Sequence, residues 1–423
     1  MELLKIIGIT LLVLIATGAI AWFGGGKDYF EKKSIENAFE KRNHESVERQ
    51  YKDLQYTGKR ALDFSPFETA LAQMSDARIA EIDNSLKDAT IPMIQELFAQ
   101  NKLTSEELVL YYLHRIKTYD VNQLNSIIEL NPDALEIARK RDEERRAGKV
   151  RGPLHGIPVT LKANIGTADQ MHTTAGAKAL ENARSDRDAF LVSKLREDGA
   201  IILGKNNLSE WANFMTSHSS NGFSALGGQT KNPYGRFDVS GSSSGSAVSV
   251  AAHLVTASVG TETSGSVIAP ASQNSDVALK PSLGLVSRDR IIPITDAMDT
   301  AGPIARSVTD MAILLNALIG VDPSDAMTKD AQALSGTDFT QYLDANGLKG
   351  MRIGIARFPV QSKAGDNDAF QRIIAVLKKA GAEVVKLPPL PLQSGLKLLP
   401  VLSYGLKAGV NKSGLSRFSI NRQ

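Results

Sequence analysis

Residues 239–271 read VSGSSSGSAVSVAAHLVTASVGTETSGSVIAPA, and this stretch decides the fold. It contains two hydroxyl-rich turns, at 240–246 and 260–266, in which glycine lets the backbone bend tightly. The segment between them, Ala247 to Val259, is rich in Ala, Val and Ser, so it predicts a closely packed buried helix that leads into a strand. Two hydroxyl turns held apart by one rigid buried element indicate a preorganised serine site.

The order and spacing of the two turns resemble the amidase signature family, whose serine- and glycine-rich signature is close to GGSSGGS…GTDTGGS. By that resemblance Ser266, which ends the second turn, is the nucleophile. Ser242 in the first turn is the family's second serine, which adjoins a cis peptide bond, and the two lie 24 residues apart, as in the family. The pattern GIPVTLKAN at 156–164 then supplies the family's lysine, which is Lys162.

The chemistry of amide cleavage explains why these residue types are needed. A serine hydroxyl is a weak nucleophile until a base removes its proton, and a lysine can act as that base only when burial keeps it neutral. The resemblance therefore implies Lys162 as base, Ser242 as proton relay and Ser266 as the residue that is acylated and then released by water. The developing oxyanion needs backbone N–H donors beside the nucleophile. The predicted donors are those of Thr263, Ser264, Gly265 and Ser266.

The motifs of other serine enzymes and of metal sites fit this sequence poorly. The run GSSSG at 241–245 formally matches the nucleophile elbow GxSxG, but that fold needs an acid and then a histidine later in the chain. Only His253 follows the run, ten residues after Ser243 and in the same predicted packed element. An SxxK motif occurs only far downstream, at 394–397, in the wrong order for a penicillin-binding arrangement. The chain has no Cys and no HExxH motif, so the sequence predicts no metal and no cofactor.

Further motifs resemble one branch of the family, the bacterial peptide amidases. They are ASQN at 271–274, GLVSRDRIIPI at 284–294 and DTAGPIARSV at 299–308. The resemblance runs from about Thr90 to Asp322 and more weakly to about Asn411. It implies a peptide with a C-terminal carboxamide, or a small carboxamide, as the substrate.

Composition excludes some partners. The chain has 423 residues with 49 basic and 46 acidic side chains, a formal net charge of +3, which gives no basic footprint for nucleic acid. Residues 6–23 are an uncharged run of eighteen, close to the length of about 20 that spans a bilayer. Residues 1–26 therefore predict a signal peptide or a membrane anchor, and a protein at the cell membrane or secreted. The charged residues 27–62 predict a stalk or solvated helix.

The middle of the chain alternates between helix and strand patterns, which is typical of an α/β fold. Thr104-Ser105-Glu106-Glu107 is a capping box that opens a helix to about Lys117. Strands are expected at 126–130, 153–161, 200–204, 348–356 and 383–387, with helices at 133–147, 190–198 and 367–380. With the resemblance, this predicts one large mixed sheet covered by helices on both faces, an N-terminal hydrophobic helix, an amidase domain at 63–411 and an irregular tail at 412–423.

Several residues depart from the family pattern. Ala163 stands where an Asp usually follows the lysine, Asp276 stands where an apolar side chain enters the core, and Gly405 replaces an acidic residue. The polar sequence after Asn411 favours a domain that is incomplete at its C-terminus. Three functions therefore stay open: an amidohydrolase, an inactive truncated protein with the amidase fold, and a glutaminase-type amidotransferase subunit.

Overall fold

The computed structural model describes residues 41, 44–51, 56, 58–214, 219–355, 364–388, 398–413 and 418–419. The apolar run at 6–23, predicted to be a helix, signal peptide or anchor, and most of the charged segment at 27–62 lie outside the described residues. Among the described helices, none has the length and apolar character needed to cross a bilayer.

A six-stranded mixed sheet forms the centre of the larger compact unit. Its strands are Ile127–Leu130 (β1), Pro158–Lys162 (β2), Ile201–Asn206 (β4), Ala257–Glu262 (β7), Val277–Ala278 (β8) and Thr300–Ala305 (β9), in the order β1-β4-β2-β7-β9-β8. β2 runs parallel to both β4 and β7, whereas β1, β9 and β8 pair antiparallel with their neighbours. The predicted mixed α/β sheet is therefore confirmed.

The central strands are covered on both faces, because every residue of β2, β4, β7 and β9 is buried. Strands enclosed in this way have near-continuous runs of small and apolar residues. Outside the sheet, Phe223–Ser224 (β5) pairs antiparallel with Gly228–Gln229 (β6), and Arg184–Ser185 (β3) pairs antiparallel with Phe418–Ser419 (β12). The pairing of β12 places two residues of the predicted irregular tail in a strand.

Helices surround the sheet. They are Glu68–Gln73 (α1), Asp76–Leu86 (α2), Ile91–Ala99 (α3), Ser105–Arg115 (α4), Ala134–Arg146 (α5), Phe190–Glu197 (α6), Ser244–Ala251 (α7), Ile268–Gln273 (α8) and Val308–Leu318 (α9). α7 contacts β2, β4, β7 and β9, α9 contacts β7, β8 and β9, and α5 and α6 contact β4. The predicted capping box is present: Glu107 N donates to Thr104 Oγ1 at 3.1 Å and Thr104 N donates to Glu107 at 3.0 Å.

Residues 344–355 and 364–388 belong to a second compact unit. Here Arg352–Ile355 (β10) pairs in parallel with Glu383–Lys386 (β11), and Ala364–Lys379 (α10) lies between them in the chain. Helix Leu398–Ser413 (α11) belongs to the larger unit again. The boundaries 63–411 of an amidase domain stay a prediction.

Candidate active site

Lys162 ends strand β2, at the same edge of the sheet as the turn that follows β7. Because β2 and β7 are parallel neighbours, their carboxyl ends meet at one edge, where α/β sheets bind their ligands. The prediction of a strand at 153–161 is wrong in its bounds, since the strand begins at Pro158 and includes Lys162. Residues 153–156 form a turn instead, in which Ile157 N donates to Leu154 O at 3.0 Å.

The Lys162 side chain is completely buried and makes two hydrogen bonds. Its Nζ donates to Ser242 Oγ at 2.7 Å and to Thr261 O at 3.1 Å. Burial lowers the pKa of Lys162 to about 7, because the low-dielectric interior disfavours the ammonium. The carboxyl groups of Asp299 and Glu262 oppose that shift of the pKa. A lysine in this setting is neutral in a substantial fraction of molecules at neutral pH, and so can accept a proton.

Ser242 lies in the turn before α7 and is completely buried. The peptide bond between Gly241 and Ser242 is cis. Ser209 N donates to Ser242 O at 3.1 Å, which ties this turn to the segment after β4. The hydroxyl of Ser242 is therefore held on Lys162 by a fixed backbone.

Ser266 lies in the second turn and is 8% exposed. Ser243 N donates to Ser266 O at 3.1 Å, so the two serine-rich turns are joined directly by their backbones. Ser242 and Ser266 both line one cavity. Among the described residues no hydrogen bond joins the two hydroxyl groups, and a relay would need that contact to form when substrate binds.

Glu262, at the end of β7, organises the turn that carries Ser266. Its carboxylate accepts hydrogen bonds from Gly265 N at 2.8 Å, Val267 N at 2.7 Å and Ile268 N at 2.9 Å. Burial alone would raise the pKa of Glu262, but these backbone N–H groups, with Lys280, hold the pKa below its usual value. Glu262 is therefore ionised at neutral pH and holds the turn that carries Ser266 in place. Sequence reasoning assigned it no role, although an acid inside a neutral Thr/Ser/Gly turn is an available signal.

The Glu262 contact bears on the predicted oxyanion donors. The N–H of Gly265 points to the carboxylate and is engaged. In the described structure no hydrogen bond occupies the N–H groups of the other three predicted donors, Thr263, Ser264 and Ser266. Gly265 adopts a φ of +89°, which a side chain would strain, so its role is in the shape of the turn.

The cavity has a volume of about 170 Å³. Ile291, Ile292 and Ile294 form an apolar wall on one side of it. The rest of the lining is mostly polar or charged and includes Asn164, Thr261, Glu262, Arg288, Asp289, Arg290, Asp296, Asp299 and Asp325. Asn164 Nδ2 donates to Thr261 Oγ1 and to Ile292 O, both at 3.1 Å, and fixes that wall to the turn after Lys162. An apolar wall that faces convergent polar groups is typical of ligand pockets.

Asp299 is a second carboxyl of the site that sequence reasoning missed. It accepts from Thr263 Oγ1 at 2.5 Å and from the backbone N–H groups of Ile294 and Thr295 at 2.7 and 2.9 Å. Burial raises the pKa of Asp299 despite these bonds. Asp299 thus connects the turn that carries Ser266 to the cavity wall. Within the described part of the chain, no group of three or more His, Cys, Asp or Glu side chains could hold a metal ion.

Known proteins are similar to this chain over most of its length. The family model described as Amidase matches residues 107–416. A protein of Arabidopsis thaliana named as a probable amidase is 48% identical over 275 residues, 64% of this chain and 54% of that protein. The A subunit of the glutamyl-tRNA(Gln) amidotransferase of Thermoanaerobacter pseudethanolicus is 36% identical over 327 residues, 76% of this chain and 62% of its own length.

A solved structure of the same type is the native peptide amidase from Stenotrophomonas maltophilia. It is 46% identical, with a TM-score of 0.74, over 77% of this chain and 67% of that chain. The chain spans 52–60% of the length of the first curated relatives that it matches.

Proposed function

This chain belongs to the amidase family, and on that premise we propose that it hydrolyses a carboxamide through Lys162, Ser242 and Ser266. The observation that carries the proposal is the contact of 2.7 Å between Lys162 Nζ and Ser242 Oγ. The lysine is completely buried, and burial lowers its pKa to about 7. A neutral amine on a serine hydroxyl, beside a second serine in the same cavity, is the arrangement of an activated nucleophile.

Acylation follows from this arrangement. Ser266 Oγ attacks the carbonyl carbon of the amide while its proton passes to Ser242, and the proton of Ser242 passes to neutral Lys162. The carbonyl oxygen becomes an oxyanion, for which the N–H groups of Thr263, Ser264 and Ser266 are the available donors. The C–N bond then breaks as the proton returns through Ser242 to the leaving nitrogen, which departs as ammonia.

Deacylation repeats the same proton path with water. Water attacks the ester carbon of acyl-Ser266 and loses its proton through Ser242 to Lys162. The tetrahedral intermediate collapses, and Ser266 recovers its proton as the carboxylic acid leaves. The hydroxyls of Ser242 and Ser266 must come within hydrogen-bond reach in the complex, and catalytic hydrogen bonds often tighten only there.

The substrate class proposed is a primary carboxamide, either a peptide C-terminal amide or a small amide. The apolar wall at 291–294 suits the acyl part, and the polar groups at the serines suit the amide. The likeness to a peptide amidase supports the peptide form. The likeness to the glutamyl-tRNA(Gln) amidotransferase supports a second candidate, in which the amide is glutamine and the ammonia passes to a partner.

Ammonia release from primary carboxamides by the full chain tests the proposal. Ser266→Ala should abolish release, whereas Ser264→Ala, an exposed neighbour that keeps its backbone N–H, should retain it. Release from peptide amides but not from glutamine selects the first candidate, and release from glutamine alone selects the second. A folded chain that releases no ammonia from either substrate would contradict both candidates and indicate an inactive protein with the amidase fold.

A further inference from the structure

Helix α11 contacts the cavity wall through two glycines. Gly405 and Gly409 are four residues apart, so they lie on one face of the helix. A Cβ at Gly405 would lie 2.5 Å from Thr295 Cβ, and a Cβ at Gly409 would lie 2.8 Å from Pro293 Cγ. Glycine inside a helix is destabilising relative to Ala. The close approach of the helix to residues 293–295 gives a physical reason for both glycines, including the Gly405 that departs from the family pattern.

Gly409 and Pro293 also line the cavity that contains Ser242 and Ser266. Gly409 is buried, whereas its neighbour Ala408 is exposed. A methyl group at 409 would be too close to the proline ring, and the open space beside that ring is the cavity. The ring would therefore yield toward the cavity and narrow it, and the absence of a side chain at 409 keeps the cavity wide.

We propose that Gly409 and Pro293 set the size of the acyl group, and that this chain accepts amides with a bulky, apolar acyl part. This inference rests on the proposed function for the identity of the ligand as a carboxamide. The contact between α11 and Pro293 sets the width of the cavity, and it does not involve the serines that perform the reaction.

Binding separates this inference from catalysis. In a Ser266→Ala background the affinity for N-acetylphenylalaninamide is measured by calorimetry, so hydrolysis plays no part. Adding Gly409→Ala should weaken binding about tenfold, the size expected when one methyl group alters a hydrophobic pocket. Adding Pro293→Ala as well should restore the affinity, because the new methyl would then lie 3.5 Å from Cβ of residue 293 and 4.0 Å from Ile294 O, which are ordinary contact distances. Equal affinities in all these variants would overturn the inference, as would a lack of binding with Gly409 intact.

A matched control and a kinetic readout complete the test. Ala408→Leu adds more bulk at the adjacent exposed position and should leave the affinity unchanged; an equal loss there would mean that any change in α11 weakens binding. With Ser266 intact, Gly409→Ala should raise KM for N-acetylphenylalaninamide more than for acetamide, with kcat little changed. If the chain releases ammonia but Gly409→Ala affects both amides equally, the role of Gly409 in cavity width is contradicted and the proposed function is not. If Gly409→Ala weakens binding but the chain releases no ammonia, the proposed function is contradicted and the role of Gly409 is not.

Thermal unfolding checks that each variant is folded. If Gly409→Ala does not fold, Pro293→Gly tests the same contact, because it removes the proline ring from the cavity wall and should widen the cavity. The affinity of the Pro293→Gly variant for N-acetyltryptophanamide should then rise about threefold or more. This is a smaller change in affinity than one added or missing methylene group produces in a hydrophobic pocket. An unchanged or weaker affinity would overturn the inference.

Discussion

At the scale of single residues, the proposed mechanism makes Lys162 the group that controls the pH dependence of the reaction. Its amine is the base only when neutral, and burial lowers its pKa to about 7. We therefore expect kcat/KM for a primary carboxamide to rise with pH and to reach half its plateau near pH 7. Rates measured from pH 5 to 9 test this. A profile that is flat across that range, or that has its midpoint near the usual lysine pKa, would contradict the role of Lys162.

The burial of Lys162 also affects how the free energy of unfolding depends on pH. The pKa of Lys162 falls from 10.5 to about 7 on folding, so between these values the unfolded chain binds more protons than the folded chain. The free energy of unfolding therefore rises with pH across this window on account of Lys162. Lys162→Met removes this rise and should stabilise the protein more at pH 6 than at pH 9, while activity falls about 10³-fold or more. A stability gain of equal size at both pH values would show that the lysine is solvated.

Asp276 is a residue whose burial opposes stability. Both of its carboxylate oxygens are buried and accept no hydrogen bond from any described residue, and burial raises its pKa well above the usual value, with Arg306 opposing. The folded chain holds this proton above the pH at which the unfolded chain releases it, so stability falls as pH rises from about 4. Asp276→Val should raise the unfolding temperature, and more at pH 7 than at pH 4. An unchanged or lower unfolding temperature at pH 7 would show that the carboxylate has a stabilising partner.

At the scale of elements, the turn after β7 depends on Glu262. Glutamine has one acceptor oxygen, so Glu262→Gln leaves at least one of the three bonded N–H groups without an acceptor, at a cost of about 1–3 kcal/mol. Glu262 also raises the pKa of Lys162, so its neutralisation should lower that pKa and move the acidic limb of kcat/KM below pH 7. Unfolding temperatures and pH–rate profiles measure the two effects.

Glu107→Gln is the matched control for Glu262→Gln. Glu107 also accepts a backbone N–H, at the start of α4, but it does not line the cavity. This variant should lose stability while its acidic limb stays near pH 7. If Glu262→Gln likewise left the limb in place, the charge of Glu262 would have no influence on the base.

Elements defined by local signals were predictable, and those defined by distant pairing were not. The capping box at Thr104 fixed the start of α4, because its hydrogen bonds join residues three apart. By contrast, no pattern predicted β9, in which Gly302 and Pro303 argue against a strand. Its residues pair with β7 in register, Gly260 with Gly302 and Val259 with Pro303, and only tertiary contacts create that pairing.

At the scale of the whole molecule, the site is a meeting of segments far apart in sequence. Lys162 and Ser242 are 80 residues apart. The parallel pairing of β2 with β7 brings Lys162 and the turn of Ser266 to one edge of the sheet, and the hydrogen bond from Ser243 N to Ser266 O joins the turn of Ser242 to them. Family resemblance predicted roles for these residues from the sequence alone. It did not reveal Asp299 or Gly409, because the contacts of those residues with Thr263 and Pro293 have no counterpart in a short motif.

The most direct test of the account is the chemical state of Ser266 during turnover. The full chain is mixed with N-acetylphenylalaninamide, quenched in acid and digested, and the acyl group is located by mass spectrometry. We predict an acyl ester on Ser266 that is absent from Ser266→Ala and present in Ser264→Ala. An acyl group on a different residue, or ammonia release that persists undiminished in Ser266→Ala, would contradict the account.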